Sequence, residues 1–116
     1  MRHRNTKKIL GRTKGPRAAL LKGLANSLIK HDRITTTVTK AKVLRPYVER
    51  LVTRSRRPSL HVRRYLMSAL GNETSVTKLL NVLGPKYSSR KGGYTRVIKS
   101  GRRLGDAGMT AIIEFI

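Results

Sequence analysis

The stretch Met109–Ile116, MTAIIEFI, is the most apolar part of the chain and decides the fold. A short run of this kind is typical of a strand in the middle of a sheet. Tyr94–Ser100, YTRVIKS, alternates apolar and polar residues, and the Gly-rich segment 101–108 suits an antiparallel hairpin with a long loop. Arg33–Val38, RITTTV, also alternates and is rich in β-branched residues. The sequence therefore predicts three strands.

Four other stretches place apolar residues three and four positions apart, which predicts four amphipathic helices. The signals that bound them are Pro residues in first turns, hydroxyl and amide caps, and Gly stops. Thr37 or Thr39 caps the second helix, and Pro46 bends it. The predicted helices run from Pro16 to about His31, from about Lys40 to Arg54, from a Ser59 cap to Gly71, and from Asn72 or Thr74 to Gly84–Pro85.

The element order is therefore one helix, one strand, three helices and two strands. This order predicts an α/β (α+β) fold, a two-layer sandwich whose helices cover one face of a three-stranded sheet. The other face is then left for Arg96 and Lys99. We expect a single globular domain over residues 16–116, preceded by a basic arm over residues 1–15 that has too few apolar residues to fold alone.

Charge is the strongest functional signal in the sequence. The 116 residues include 27 Lys and Arg but only 5 Asp and Glu, a net charge of +22, and no acidic residue precedes Asp32. Self-repulsion at this density opposes compaction, and a polyanionic partner relieves it. Such a charge is the electrostatic signature of a nucleic-acid-binding protein. The alternative for the arm alone is a merely solvated tail.

Several other classes of function are not expected. The chain lacks Cys, and its three His residues are far apart, so we expect neither a metal site nor a cofactor. The five acids form no obvious pair and no catalytic motif is present, so we predict that the protein is not an enzyme and has no small-molecule substrate. No apolar run is long enough to cross a bilayer, and the arm lacks the apolar core of a signal peptide, so we expect a cytoplasmic protein without a membrane partner.

Basic residues occur on nearly every predicted element. A reader of duplex DNA usually concentrates them around one recognition helix, so this spread favours a protein embedded among strands of folded RNA. A free architectural DNA-binding protein of the nucleoid type remains the alternative. Candidate RNA-binding residues in the arm and the first helix are Arg2, His3, Arg4, Lys7, Lys8, Arg12, Lys14 and Arg17.

Three further clusters complete the candidate interface. Lys40, Lys42 and Arg45 follow a Thr run at a helix N-terminus, which attracts phosphate, and the alternative is a merely solvated helix face. Arg102 and Arg103 form a basic pair in the hairpin. The third cluster, in the loop before the hairpin, comprises Lys86, Tyr87, Arg90, Lys91, Tyr94 and Arg96.

The two tyrosines of that loop have two competing interpretations. Tyr87 and Tyr94 suit stacking on unpaired bases while the neighbouring cations hold phosphates. Alternatively, both rings belong to the core or its rim and have satisfied hydroxyls.

The sequence resembles one known family, the bacterial-type large-subunit ribosomal protein L17. The resemblance covers essentially the whole chain. It is carried by Met1–Arg4 (MRHR), Ser27–His31 (SLIKH), Arg33–Thr36 (RITT), Lys40–Pro46 (KAKVLRP) and Gly92–Arg96 (GGYTR), among others.

The resemblance implies an rRNA-binding structural constituent of the large ribosomal subunit, near the polypeptide exit region and beside other large-subunit proteins. It implies a mixed three-stranded sheet and an arm that reaches into rRNA. The lack of a recognisable transit peptide favours a bacterial cytoplasmic ribosome, and an organellar one is the alternative. Gly11–Pro16 departs from the family pattern before the first helix, and Thr13 is the nearest candidate for its cap.

Overall fold

The helices and strands follow the predicted order. A computed structural model of the protein describes residues 14–102, 105 and 108–116. Most of the predicted arm, and the predicted Thr13 cap, lie outside the described residues. The elements are α1 Lys14–His31, β1 Arg33–Thr37, α2 Val38–Ser55, α3 Leu60–Leu70, α4 Glu73–Lys78, β2 Thr95–Arg102 and β3 Met109–Phe115.

The three strands form one sheet with the most apolar strand in its centre. The strand order is β1-β3-β2, and β3 runs antiparallel to both neighbours. The predicted hairpin and central strand are therefore confirmed. The mixed sheet that the family resemblance implied is wrong, because β1 and β2, the two strands that share a direction, are separated by β3 and never pair.

One face of the sheet lies against the helices and the other is left open by the described elements. In the helix-side face, Ile34 and Val97 flank Ile113 in register. In the open face, Arg33 and Arg96 flank Glu114 in the same way. Helices on one side of a small sheet give the predicted two-layer arrangement.

The expectation that Arg96 and Lys99 share the open face is wrong. Lys99 is in register with Ala111, which is buried on the helix side. Residues three apart in a strand point to opposite faces, because the side-chain period is two. Lys99 is still exposed, and the strand becomes irregular between Lys99 and Gly101.

Local capping chemistry fixes where the middle helices begin and end. Thr37, Ser59 and Asn72 each accept a backbone N–H from the first turn of the helix that follows, which confirms the predicted caps. Gly71 ends α3 in the left-handed conformation, with φ of 64°. Glycine adopts that conformation without a Cβ penalty.

The last helix continues one turn beyond its predicted stop. After α4 the chain forms a π-helical segment, Leu79–Leu83, and one further α-helical turn, Gly84–Lys86. The N–H of Gly84 donates to the carbonyl of Leu79, five residues earlier. This wider turn suits Pro85, which has no N–H and whose ring crowds the preceding turn of an ordinary α-helix.

The core lies between the helices and the helix-side face of the sheet, and it is mainly aliphatic. Two tyrosines, Tyr87 and Tyr94, are its largest side chains. The buried aliphatic residues are Ala25, Leu28, Ile29, Ala41, Leu44, Val48, Leu51, Val52, Leu66, Leu70, Val76, Leu79, Leu80, Leu83, Ala111 and Ile113.

Candidate nucleic-acid interface

The few acidic residues are held by the protein's own cations. Among the described residues, Asp32 pairs with Lys78 at 2.8 Å, and the Glu114 carboxylate lies 2.7 Å from Arg96 Nε and 3.6 Å from Arg33 Nε. The other two acids also have partners, since Glu49 lies 3.7 Å from Arg45 and Glu73 lies 4.0 Å from Arg63. Each described carboxylate is thus offset locally, and cations dominate the rest of the described surface.

Glu49 is bonded to backbone groups that are distant in the sequence. Its Oε2 accepts the backbone N–H groups of Tyr94 at 2.8 Å and of Thr95 at 3.4 Å. It thereby ties the middle of α2 to the start of β2, 45 residues away in sequence. This carboxylate positions the loop before β2, where several candidate RNA-binding residues lie.

The predicted cluster at the start of α2 is divided by the helix geometry. Lys42 and Arg45 are three residues apart and exposed, so they share one face. Lys40 is half-buried and points elsewhere, because residues two apart on a helix do not face the same way. Lys42 and Arg45 are therefore the members of this cluster that are presented together.

The loop before β2 is held in place by two arginines. Arg56 donates from Nη1 to the Arg90 carbonyl and, at 3.2 Å, to the Tyr94 hydroxyl. Arg90 in turn donates to the Gly93 carbonyl at 3.2 Å. Lys91 beside it is exposed. These hydrogen bonds therefore fix the backbone of the loop from which the exposed cations extend into solvent.

Both loop tyrosines belong to the core, which makes the predicted base stacking wrong for this conformation. Tyr87 is 3% exposed and Tyr94 is 0% exposed, and their ring centroids are 5.2 Å apart. Tyr87 donates its hydroxyl to the Ile116 carbonyl at 2.6 Å, and the Tyr94 hydroxyl lies 3.1 Å from that of Thr53. The alternative interpretation, core rings with satisfied hydroxyls, is confirmed.

The exposed tyrosine that sequence reasoning missed is Tyr65. Its side chain is 38% exposed, and the Arg54 guanidinium lies over its ring, 4.4 Å from the centroid. The available signal was its position, because Tyr65 follows Arg63 and Arg64 on a helix whose buried positions are Leu66 and Leu70. A tyrosine among cations on a solvent-facing helix surface lacks a core role.

Tyr65 and Arg54 lie at the rim of a groove of about 390 Å³ between α2, α3 and the loop before β2. We call this the α2–α3 groove. Tyr94 and Glu49 line it more deeply. Its lining residues are Pro46, Glu49, Arg50, Thr53, Arg54, Tyr65, Gly92 and Tyr94.

Tyr47 lines another hollow, formed by α1, α2 and α3, and the pKa of its hydroxyl is raised. Burial raises the pKa of Tyr47, the nearby Tyr65 hydroxyl raises it further, and Arg50 lowers it. Its hydroxyl donates to the Ala69 carbonyl at 3.0 Å, which joins α2 to α3. The group therefore stays protonated to higher pH than an ordinary tyrosine.

The remaining candidate RNA-binding residues are scattered over the surface or lie outside the described residues. Lys14 and Arg17 line a second hollow of about 370 Å³ between α1, α2 and α3. Lys86 lies over the Tyr87 ring at 5.1 Å, and Arg102 is exposed at the end of β2. Residues Arg2, His3, Arg4, Lys7, Lys8, Arg12 and Arg103 lie outside the described residues.

Within the described ranges, no group of three or more His, Asp or Glu is placed to hold a metal ion. No helix in that part of the chain is long and apolar enough to cross a membrane. The fold and its surface thus define a class, a small and strongly basic α/β protein whose described acids are locally paired.

Comparison with known proteins identifies the family within this class. The family model described as ribosomal protein L17 matches residues 20–116, and the chain belongs to this family.

The chain is 52% identical over its whole length to the large ribosomal subunit protein bL17 of Sphingopyxis alaskensis, of which it covers 84%. It is 48% identical, with both chains covered fully, to the protein of the same name from Neorickettsia sennetsu. The protein of that name from Orientia tsutsugamushi is 47% identical, and 80% of it is covered. The family is one of structural ribosomal proteins rather than catalysts.

Proposed function

We propose that this protein is a structural constituent of the large ribosomal subunit that binds folded rRNA and stabilises it by neutralising phosphate charge. Membership of the ribosomal protein L17 family supports the ribosomal role. The local pairing of every described acid supports the charge mechanism, because it leaves few anionic patches to repel RNA. That pairing, in a chain of net charge +22, is the observation that carries the proposal.

The proposed RNA surface is distributed rather than confined to one element. Lys42 on α2, Lys91 in the loop before β2 and Arg102 at the end of β2 are all exposed. Arg45 is exposed as well, and its pair with Glu49 is longer, at 3.7 Å, than the 2.7 Å pair of Arg96 with Glu114. Lys and Arg that reach phosphates displace condensed counterions, which is the source of affinity in this mechanism. The part of the predicted basic arm that precedes α1, residues 1–13, is proposed to extend this surface into rRNA through its candidate residues. Arg96 contributes less, since its guanidinium already pairs with Glu114.

The open face of the sheet is proposed to meet a neighbouring large-subunit protein instead. On this face Glu114 pairs with both Arg33 and Arg96 and offsets one of their two positive charges, and Ile98 beside them is 43% exposed. A face with paired charge and exposed aliphatic surface suits a protein neighbour better than a phosphate backbone. From the family resemblance we also propose that these contacts lie near the polypeptide exit region of a cytoplasmic ribosome.

Salt dependence of binding tests the charge mechanism. For the purified protein and a folded large-subunit rRNA fragment, the logarithm of the association constant should fall steeply and linearly with the logarithm of salt concentration. Lys42→Gln should reduce that slope by about 0.7–0.9 for its lost phosphate contact. The matched control is Lys78→Gln, because Lys78 already pairs with Asp32 and should leave the slope unchanged.

Two results would contradict the proposal. Binding that does not respond to salt would exclude charge neutralisation. Equal or stronger binding to duplex DNA, together with absence of the protein from the large-subunit peak of a sedimented lysate, would favour the nucleoid-type alternative. Crosslinking of intact large subunits adds a positional check, with RNA adducts expected at Lys42 and Lys91.

A further inference from the structure

The α2–α3 groove combines the two features with which proteins hold an unstacked nucleotide. Its rim carries a tyrosine ring with an arginine plane over it, Tyr65 and Arg54, at 4.4 Å. Arg50 adds a further cation to the lining. Aromatic rings and guanidinium planes stack on splayed RNA bases, while neighbouring cations hold the phosphates.

We propose that this groove binds one unpaired RNA nucleotide, with its base stacked on the Tyr65–Arg54 pair and its phosphate held by Arg50. The proposal rests on the proposed function and refines it, because it assigns base-stacking to a residue rather than only phosphate contact. A paired nucleotide does not fit this description, since both faces of its base are covered within a duplex.

Size and access agree with such an occupant. The groove measures about 390 Å³, within the range of about 300–1,000 Å³ typical of small-ligand pockets. Gly92 forms part of its wall, and a Cβ built there would meet no atom within 4 Å. The backbone on that side is therefore open to close approach by a sugar or phosphate.

The groove floor is not a competing site. Tyr94 is 0% exposed and its hydroxyl is within hydrogen-bond distance of Thr53 and Arg56. Glu49 is the acid among the lining residues, and its Oε2 accepts two backbone N–H groups while Arg45 lies 3.7 Å from its Oε1. The surface left for a ligand is the cationic and aromatic rim.

A single tryptophan provides a direct reporter, because the chain contains none. In the full chain, Tyr65→Trp keeps a stacking surface at the rim. Leu60→Trp is the matched control, since Leu60 is 64% exposed at the start of the same helix. A uridine decamer should quench the emission of Tyr65→Trp at least twofold more than that of Leu60→Trp, and a blunt RNA duplex of equal length should not show this difference.

Affinity for a folded large-subunit rRNA fragment gives an independent readout. Tyr65→Leu should weaken binding about tenfold with an unchanged salt slope, because stacking is lost while phosphate contacts remain. Tyr65→Phe should restore the affinity, since the ring is retained. Arg50→Gln should instead reduce the slope by about 0.7.

The outcomes separate this inference from the proposed function. Steep salt dependence together with equal quenching at both tryptophans, or with unchanged affinity in Tyr65→Leu, overturns the nucleotide site and leaves the ribosomal proposal standing. Absence of salt-dependent RNA binding by the unmodified protein overturns both. Selective quenching at position 65 supports the site, and unchanged thermal unfolding of the variants confirms that the comparison is between folded proteins.

Discussion

The floor and the rim of the α2–α3 groove each carry a tyrosine, and the two have opposite environments. Tyr94 at the floor is 0% exposed, and its ring packs 5.2 Å from Tyr87. Tyr65 at the rim is 38% exposed and carries Arg54 over its ring. The difference arises because Tyr94 is tied into the fold by Glu49, a residue distant in sequence. Long-range contacts, rather than the residue type or its basic neighbours, decide which tyrosine is available to a ligand.

The largest expected contrast comes from truncating each ring. Tyr94→Ala should lower the free energy of unfolding by about 3–5 kcal/mol, as for other buried aromatic residues. Tyr65→Ala should change it by less than about 1 kcal/mol, the worth of an exposed cation–π contact. Urea unfolding of the two variants measures both values. Equal losses of unfolding free energy would mean that the buried and the exposed tyrosine contribute equally to stability, which contradicts this prediction.

Removing the floor carboxylate should have the next largest effect. Glu49→Ala leaves the N–H groups of Tyr94 and Thr95 without their acceptor, and at about 1–3 kcal/mol for each buried group we expect a loss near 3 kcal/mol. The control is Glu73→Ala, because that carboxylate is 80% exposed and its pair with Arg63 is worth at most about 1 kcal/mol.

Amide hydrogen exchange tests whether Glu49 stabilises the start of β2 in particular. In Glu49→Ala the amides of Tyr94 and Thr95 should exchange faster than in the unmodified protein under conditions that leave the core of α2 protected. Unchanged exchange at both amides would show that Glu49 does not hold the loop.

Two glycines provide a third, smaller contrast between the interior and the groove wall. A Cβ at Gly84 would lie 2.5 Å from the Ser55 carbonyl oxygen, so Gly84→Ala should destabilise by about 2 kcal/mol through overpacking. A Cβ at Gly92 would meet nothing within 4 Å, so Gly92→Ala should be nearly neutral. Thermal unfolding compares the two, and a neutral Gly84→Ala would show that α2 and the last helical turn separate easily.

Much of the fold was predictable because its signals are local. The apolar run of β3, the alternation of β2 and the caps Thr37, Ser59 and Asn72 each depend on residues a few positions apart. The π-helical segment Leu79–Leu83 was not predictable in this way, because a Gly-Pro pair ordinarily ends a helix.

The candidate site was predictable only in its cationic part. Exposed Lys and Arg need no particular partner, so their positions follow from helix and strand periodicity. The roles of the tyrosines follow from contacts across the fold, such as that between Glu49 and Tyr94. Sequence reasoning favoured Tyr87 and Tyr94 because cations and glycines adjoin them, and it passed over Tyr65 because its partner Arg54 lies on another helix. Membership of the family was predictable from short motifs alone.

Tyr47, which lines the other hollow rather than the α2–α3 groove, provides the smallest effect, and that effect depends on pH. Burial raises the pKa of its hydroxyl, and Tyr65 adds to that rise while Arg50 opposes it. In the unfolded chain the Tyr47 hydroxyl has an ordinary pKa of about 10, so it loses its proton at lower pH there than in the folded protein. The stability that the raised pKa contributes is complete below about pH 10 and is lost as pH climbs through the folded value.

The matched variant for this prediction is Tyr47→Phe, which removes the titrating proton and keeps the ring. The gap in unfolding free energy between the unmodified protein and Tyr47→Phe should be constant at neutral pH and should shift against the unmodified protein above about pH 10. Tyr65→Phe should bring the tyrosinate absorbance of Tyr47 to lower pH, because one of the two causes of its raised pKa is removed. A constant gap up to the alkaline limit of folding would show that Tyr47 titrates like a solvent-exposed phenol. Burial would then not perturb its hydroxyl, and Tyr47 would have to be grouped with the exposed Tyr65 rather than with the buried Tyr94.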